Sequence, residues 1–100
     1  MRIIKRSTLV KFWETNPKTK TSLGRWLETF KAADFHSMDD VMKAVPKAKV
    51  LNGERVRFEV AGGNFRMTVA FDFDRQAAWI KFLGTHTEYD AVDALTVQMF

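Results

Sequence analysis

The 100-residue chain contains no cysteine, two histidines, one tyrosine and two prolines. The lack of cysteine excludes a disulfide framework and a thiolate metal site, and the two histidines do not have the spacing of a metal site. No apolar run approaches the roughly 18 residues that a membrane-spanning helix requires. Residues 1–6 also lack the apolar stretch of a signal peptide. We therefore expect a cytoplasmic protein that needs no cofactor and has no membrane partner.

The composition is that of one folded domain, residues 1–100. Hydrophobic residues make up 46% of the chain and aromatic residues 13%, which excludes an intrinsically disordered protein. The net charge of +4 is unevenly distributed, because residues 1–31 hold eight basic and two acidic side chains, and residues 32–100 hold eight and ten. This asymmetry indicates a face attracted to a polyanion, although solvated helix surfaces would give the same pattern.

Two main helices are predicted in the first third of the chain, and a short one follows. Ser7 is the expected N-cap of a helix over residues 8–15. Asn16-Pro17 should end that helix and begin the next, because proline is favoured at the first helical position. Apolar residues at helical spacing define the second helix, namely Leu23, Trp26, Leu27, Phe30 and Ala33. Ser37 is expected to cap a short helix over residues 38–44.

Strand patterns dominate after Pro46. Four strands are expected to form an antiparallel meander, at residues 49–51, 55–60, 65–73 and 77–83. Asn52-Gly53 suits a tight two-residue hairpin between the first two. Residues 1–5 are predicted to form a short edge strand, and residues 87–95 a final helical turn. The predicted fold is therefore α+β, an antiparallel sheet of about four to five strands with two main N-terminal helices packed on one face.

The alternation of side chains along these strands predicts an apolar face and a basic face of the sheet. The basic residues on this second face are Arg55, Arg57, Arg66 and Lys81, which together predict an open cationic, phosphate-binding surface. In the last strand, Ile80 and Phe82 are assigned to the core. Trp79 and Leu83 then lie on the second face, where Trp79 is expected to be covered by the C-terminal residues because a bare indole is costly to leave in water.

Ten positions, where the last strand runs into a polar loop, contain four polar residues: Lys81, His86, Tyr89 and Asp90. Such groups can hold a phosphate and transfer protons without a metal, as in RNA cleavage by the 2′-hydroxyl. Arg66 and Lys81 would hold the phosphate. His86 suits proton transfer, since the ordinary pKa of histidine is about 6.5. The alternatives remain open: a surface histidine, a tyrosine that anchors the C-terminal segment, and an aspartate that caps a helix or orients a cation.

Two strings in the sequence resemble the HigB toxins of bacterial type II toxin–antitoxin systems, in the branch with a RelE-like fold. They are Gly63-Asn64-Phe65-Arg66-Met67 and Lys81-Phe82-Leu83-Gly84-Thr85-His86-Thr87-Glu88-Tyr89-Asp90. The resemblance implies a ribosome-dependent endoribonuclease that cleaves mRNA and inhibits translation. It implies that Arg66 and Lys81 bind the scissile phosphate, that His86 and Tyr89 transfer protons, and that Asp90 orients. Relatives often have arginine at the position of Lys81.

The resemblance also implies partners. A cognate antitoxin with a HigA-like helix-turn-helix domain would neutralise the toxin, and operator DNA would be contacted only through that antitoxin. The ribosome and mRNA would be the remaining partners, with the basic residues Lys11, Lys20 and Arg25 docking on ribosomal RNA. Two other functions remain open, because one fold hosts several activities: a non-catalytic RNA- or protein-binding module, and a gyrase-poisoning relative similar to the ParE proteins.

Overall fold

The computed structural model describes all 100 residues of the chain. The helices and strands follow in the order β1 (Arg2–Ile4), α1 (Arg6–Thr15), α2 (Lys20–Ala32), α3 (Met38–Ala44), β2 (Lys49–Val50), β3 (Arg55–Val60), β4 (Phe65–Asp72), β5 (Ala77–Thr85) and α4 (His86–Asp90). Two short 3₁₀ turns, Pro17–Thr19 and Ala61–Gly63, precede α2 and β4. None of the helices combines the length and apolarity needed to cross a membrane.

The five strands form one mixed sheet in the order β1-β5-β4-β3-β2. The four strands that follow α3 form the predicted antiparallel meander. β1 lies at the edge, as predicted, but it runs parallel to β5, with Arg2 opposite Ala77. The prediction of a wholly antiparallel sheet was wrong for this strand, because three residues hold no pattern that sets the direction of pairing.

Both main helices pack on the apolar face of the sheet. The core residues that α1 and α2 contribute are Leu9, Leu23, Trp26, Leu27 and Phe30. The strands contribute Val56, Phe58, Val60, Met67, Val69, Ile80 and Leu83. Phe30 stacks on Trp26 with ring centroids 4.5 Å apart, and it meets Phe58 edge to face at 5.3 Å. The helical stripe predicted for α2 therefore meets the predicted apolar strand face in one aromatic cluster.

The start of α1 differs from the prediction. The helix begins at Arg6, and its N-cap is Lys5, which adopts a left-handed backbone conformation with φ 69°. Ser7 lies inside the first turn, so the prediction of Ser7 as N-cap was wrong. Because β1 ends directly before Lys5, the chain must turn at that residue, which overrides the capping preference of serine. Ser37 caps α3 as predicted, since its Oγ accepts a hydrogen bond from the N–H of Asp40 at 3.3 Å.

The connection between β2 and β3 is also wider than predicted. Residues 51–54 separate the two strands. The Oδ1 of Asn52 accepts hydrogen bonds from the N–H groups of Glu54, at 2.9 Å, and Arg55, at 2.7 Å. Gly53 is not among the residues with positive φ. The asparagine side chain therefore holds this turn, and the prediction of a tight two-residue hairpin was wrong.

A β-bulge in β5 reverses the predicted facing of its last residues. Ile80 and Phe82 lie opposite neighbouring residues of β4, so Lys81 has no partner across the strand pair. One extra residue turns every side chain beyond it to the other face. Leu83 is consequently fully buried in the core, and Phe82 lies on the second face. The assignments of Phe82 to the core and of Leu83 to the second face were wrong.

Candidate active site

The end of β5 and the start of α4 are joined by a capping box. The backbone N–H of Thr85 donates to Oε1 of Glu88 at 2.8 Å, and the Oγ1 of Thr85 accepts from the N–H of Glu88 at 3.1 Å. This reciprocal pair satisfies two N–H groups that would otherwise be free at a helix start. A helix of five residues depends strongly on such a cap. The predicted helical turn exists, and it begins at His86.

Arg66 is the second residue of β4, and its side chain is only 12% exposed. Its Nη1 donates to the carbonyl oxygen of Gly63 at 2.5 Å and lies 3.9 Å from Oε1 of Glu59, which is opposite it on β3. Its Nε is buried and has no hydrogen-bond partner. The turn before β4 therefore holds the guanidinium, and the Nε–H group of Arg66 donates no hydrogen bond within the chain.

His86 lies at the first position of α4. Its backbone N–H donates to the carbonyl oxygen of Asn64 at 3.0 Å, which ties the histidine to the turn that precedes β4. Its side chain is 55% exposed, and Nε2 lies 3.5 Å from Oδ2 of Asp90, one turn later on the same helix. The histidine is thus a surface residue, and Asp90 is positioned to orient it.

Arg66 and His86 occupy the same corner of the sheet. Arg66 lies opposite Gly84 in the pairing of β4 with β5, and Gly84 precedes His86 by two residues. Two residues span about 7 Å along a strand. Two of the predicted site residues, which are 20 positions apart in the sequence, are therefore brought together by the register of the two strands.

Tyr89 is half-buried, and its ring packs edge to face on Phe82, with centroids 5.7 Å apart. The contact exists because the bulge places Phe82 on the second face. The ring of Tyr89 therefore anchors α4 against the sheet. Tyr89 also lies one turn beyond His86 on α4, so the two side chains are neighbours on the helix even though the Tyr89 ring anchors α4.

Lys81 is the bulged residue of β5 and is half-buried. It precedes Gly84, the partner of Arg66, by three residues, or about 10 Å of strand. Its carbonyl oxygen accepts a hydrogen bond from the N–H of Met99 at 2.8 Å. Lys81 is therefore displaced along β5 from the strand position opposite Arg66.

The C-terminal residues cover the middle of the second face. Arg55 is only 4% exposed, and its Nη1 donates to the carbonyl oxygens of Ala94 and Val97 at 3.1 and 2.8 Å. The predicted role of Arg55 in phosphate binding on an open surface was therefore wrong: Arg55 fastens the C-terminal segment to the sheet. Trp79 is half-buried on this face, opposite the buried residue Ala70.

Arg57 is half-buried beside this covered region. It lies opposite Thr68, which is fully buried, and neither Nε of Arg57 nor Oγ1 of Thr68 has a hydrogen-bond partner. The open cationic surface predicted from the sequence is thus reduced to its ends, with Arg57 at the margin of the covered part and Arg66 near α4. The sequence predicted that the C-terminal residues cover Trp79 on this face, but it did not indicate that they also cover Arg55.

Glu59 and Gly84 belong to the site, although their types suggested no role. Glu59 lies beside Arg66, directly opposite it on the neighbouring strand. Pairing the sequence positions on either side of the turn 61–64 would have predicted this contact. At Gly84, a Cβ atom would lie 2.9 Å from Cζ of Phe82 and 3.0 Å from Oε1 of Glu88. The glycine therefore leaves room for both the anchoring ring and the capping carboxylate. No group of three or more His, Asp or Glu side chains is arranged to hold a metal ion.

The family described as HigB_toxin, RelE-like toxic component of a toxin-antitoxin system, matches residues 19–92. The chain belongs to the HigB toxin family. The matched part of this HigB toxin runs from the end of the first 3₁₀ turn to just beyond α4, so it includes every candidate site residue. The resemblance and the RelE-like α+β fold inferred from the sequence are confirmed, and a cognate antitoxin follows from the family. No curated protein sequence matches the chain.

Proposed function

We propose that this HigB toxin is a ribosome-dependent endoribonuclease that cleaves mRNA and thereby inhibits translation. The observation that supports this most strongly is the corner formed by Arg66 and His86. The first offers a guanidinium that the turn before β4 holds in place and that is 12% exposed, and the second offers an imidazole that is 55% exposed. RNA cleavage by the 2′-hydroxyl uses a base, an acid and a cation that stabilises the phosphate, and this corner places a cation and a proton-transfer group together.

In the proposed reaction, the 2′-oxygen of the substrate attacks the adjacent phosphorus and loses its proton to a base. The bond from phosphorus to the 5′-oxygen breaks, and an acid gives that oxygen a proton. The products are a 2′,3′-cyclic phosphate and a 5′-hydroxyl end. His86 is the proposed proton-transfer residue, assisted by Tyr89 one turn away. Arg66 neutralises the charge that develops on the phosphate oxygens.

Three further residues have supporting roles in this proposal. Asp90 orients the imidazole of His86 across the 3.5 Å contact between them. Lys81 and Arg57 form no ion pair within the chain and are half-buried. Both lie further along the sheet than Arg66, so they would contact phosphates that flank the scissile one. This requires only electrostatic attraction to the RNA backbone.

The proposed dependence on the ribosome rests on the basic N-terminal third. Lys11 lies on α1, and Lys20 and Arg25 lie on α2; all three are exposed. They would contact ribosomal RNA, and reversing their charges should weaken ribosome association at low salt more than at high salt. The proposed setting is the cytoplasm, and the proposed antitoxin has a HigA-like helix-turn-helix domain, through which alone the complex contacts operator DNA.

The test is controlled expression of the toxin and two variants, His86→Ala and Arg66→Ala, with RNA ends mapped while translation runs or is blocked. New 5′-hydroxyl ends within mRNA are expected for the unaltered chain and not for His86→Ala or Arg66→Ala. His36→Ala is the matched control, because Nε2 of His36 also lies close to a carboxylate, Oδ1 of Asp34 at 3.3 Å, and is exposed.

Growth arrest without new mRNA ends would exclude a ribonuclease and favour gyrase poisoning or simple binding. Cleavage that persists in His86→Ala would point to a site elsewhere. Cleavage that continues when translation is blocked would contradict only the proposed dependence on the ribosome, and the toxin would still be a ribonuclease.

A further inference from the structure

A groove of about 390 Å³ lies between α2 and β3, on the face of the sheet that the helices cover. Its walls are α2 and the edge of β3, and the end of α3 closes it. Its apolar residues are Trp26, Phe30, Ala44, Val45, Phe58, Val60 and Ala61. Polar residues form its rim: Lys18, Thr21, Ser22, Arg25, Thr29 and Glu59. Glu59 lies beside Arg66, and the carbonyl oxygen of Ala61 accepts a hydrogen bond from the N–H of Asn64, so one end of the groove adjoins the turn before β4.

The β3 wall of the groove is an unpaired strand edge. β2 is only two residues long and pairs with β3 no further than Arg57. The carbonyl oxygen of Arg55 accepts a hydrogen bond from the N–H of Leu51, directly after β2, and that of Glu54 accepts from Phe71 of β4. The backbone groups of odd-numbered β3 residues therefore point toward the side of β2, away from β4. The backbone N–H and C=O of Glu59 therefore point to the open edge. Such an edge can accept one more short strand.

The floor of the groove contains a donor without an acceptor. Trp26 is 8% exposed, and its indole Nε1 is buried without a hydrogen-bond partner in the chain. Trp26 stacks on Phe30 and meets Phe58 edge to face at 5.6 Å. Leaving a buried indole N–H unpaired is unfavourable, so an acceptor from a ligand would remove this penalty.

The charge of the rim favours an acidic ligand. Lys18 and Arg25 are both exposed, and neither forms an ion pair within the chain. Glu59 is the one acidic lining residue, and its carboxylate lies 3.9 Å from Nη1 of Arg66. A second copy of this chain would bring its own positive charge of +4 to the same rim, which electrostatic repulsion disfavours.

We propose that this groove binds an extended, acidic segment of the antitoxin, which pairs with Glu59 as a short added strand and places apolar side chains over Trp26. Nucleic acid is a poorer fit, because RNA cannot continue a β-ladder and the faces of the floor rings are already packed on one another. The proposal rests on membership of the toxin–antitoxin family and does not depend on the cleavage chemistry. A segment in the groove would also contact Glu59, the residue beside Arg66.

The strand edge is tested with two substitutions at one position. Glu59→Pro removes the outward N–H without affecting the pairing of β3 with β4, and proline is tolerated on edge strands. Glu59→Ala removes the carboxylate and keeps the N–H. Toxin is separated from its antitoxin in denaturant and refolded, and the affinity for the antitoxin is measured by calorimetry. Glu59→Pro is expected to weaken binding about tenfold or more, the equivalent of one strand hydrogen bond, and Glu59→Ala less than threefold.

The rim and the floor are tested independently of that position. Lys18→Glu combined with Arg25→Glu should weaken antitoxin binding more than tenfold at low salt, whereas Lys20→Glu, which does not line the groove, should not. The indole N–H resonance of Trp26, assigned from Trp26→Phe, should shift when antitoxin is added. Circular dichroism checks the folding of each variant.

The proposal is overturned if antitoxin binds Lys18→Glu/Arg25→Glu toxin normally, or if the Trp26 resonance does not move on binding. It is also overturned if these charge reversals reduce ribosome binding and leave antitoxin binding unchanged, because the groove would then be an RNA surface. If the toxin bound antitoxin through the groove but cleaved no RNA, the groove proposal would stand and the proposed enzyme activity would not. The two proposals are therefore tested separately.

Discussion

Gly84 and Phe82 lie two residues apart on β5, and a Cβ atom on Gly84 would lie 2.9 Å from Cζ of the Phe82 ring. The same Cβ would lie 3.0 Å from Oε1 of Glu88, the carboxylate that caps α4. No side chain larger than hydrogen fits without moving the ring or breaking the cap. Since the ring of Tyr89 packs on Phe82, the glycine controls how α4 sits on the sheet.

Gly84→Ala should therefore be destabilising even though it adds only a methyl group. Overpacking of this kind typically costs about 1–3 kcal/mol, and the proposed cleavage activity should fall by a larger factor than the stability loss explains. Chemical denaturation and single-turnover cleavage on translating ribosomes measure the two quantities. Gly53→Ala is the control, because a Cβ there meets nothing within 4 Å. Equal effects of both substitutions would contradict the packing role of Gly84.

The capping box gives a prediction that separates stability from activity. Thr85→Ala removes the cap of α4, and Ser37→Ala removes the cap of α3. Each should lower the free energy of unfolding by about 1 kcal/mol. Only Thr85→Ala should also reduce cleavage, because α4 positions His86. If Ser37→Ala reduced cleavage as much, the effect would come from stability alone.

The meeting of Arg66 with the segment around His86 could be predicted from the sequence better than the surroundings of these residues. The segment around His86 and the strand of Arg66 were identified from residue types, and their meeting depends on the pairing of β4 with β5, which the alternation of apolar residues largely sets. The bulge at Lys81 was not predictable, because one extra residue leaves each half of the strand with a normal alternating pattern.

Covering of Trp79 by the C-terminal residues was predicted, but their attachment to Arg55 was hidden, because it depends on the carbonyl oxygens of Ala94 and Val97, and every residue has a carbonyl oxygen. Strand alternation correctly placed Arg55 on the second face, but alternation gives the direction of a side chain and not what lies above it. The direction of β1 was undetermined for a similar reason, since its pairing with β5 is long-range.

Arg55→Ala should release the C-terminal segment. The substitution removes two hydrogen bonds from a buried guanidinium to backbone carbonyls, and bonds to charged groups contribute about 1.5–3 kcal/mol each. Backbone amides in residues 94–99 should then exchange hydrogen at least tenfold faster, as measured by mass spectrometry. Arg75→Ala, at a residue whose side chain is 76% exposed, should leave that exchange unchanged. If these amides exchanged as slowly in Arg55→Ala as in the unaltered protein, other contacts would hold the segment.

Asp90 should act on cleavage through His86 and not on RNA directly. The two side chains are 62% and 55% exposed and 3.5 Å apart, and exposed pairs of this kind contribute up to about 1 kcal/mol. Asp90→Asn should therefore lower the cleavage rate by no more than about fivefold, whereas His86→Ala removes a proton-transfer group, a loss of about 10²–10⁴.

The half-saturating ribosome concentration should stay unchanged in Asp90→Asn, because an orienting residue affects the rate of the chemical step and not binding. Asp90→Glu should restore part of the rate, since it returns a carboxylate near the imidazole. Asp90→Asn in the His86→Ala background should have no further effect, because the residue it orients is absent. If Asp90→Asn lowered the cleavage rate by the same factor in the His86→Ala background as in the unaltered toxin, Asp90 would contact the RNA or orient another residue.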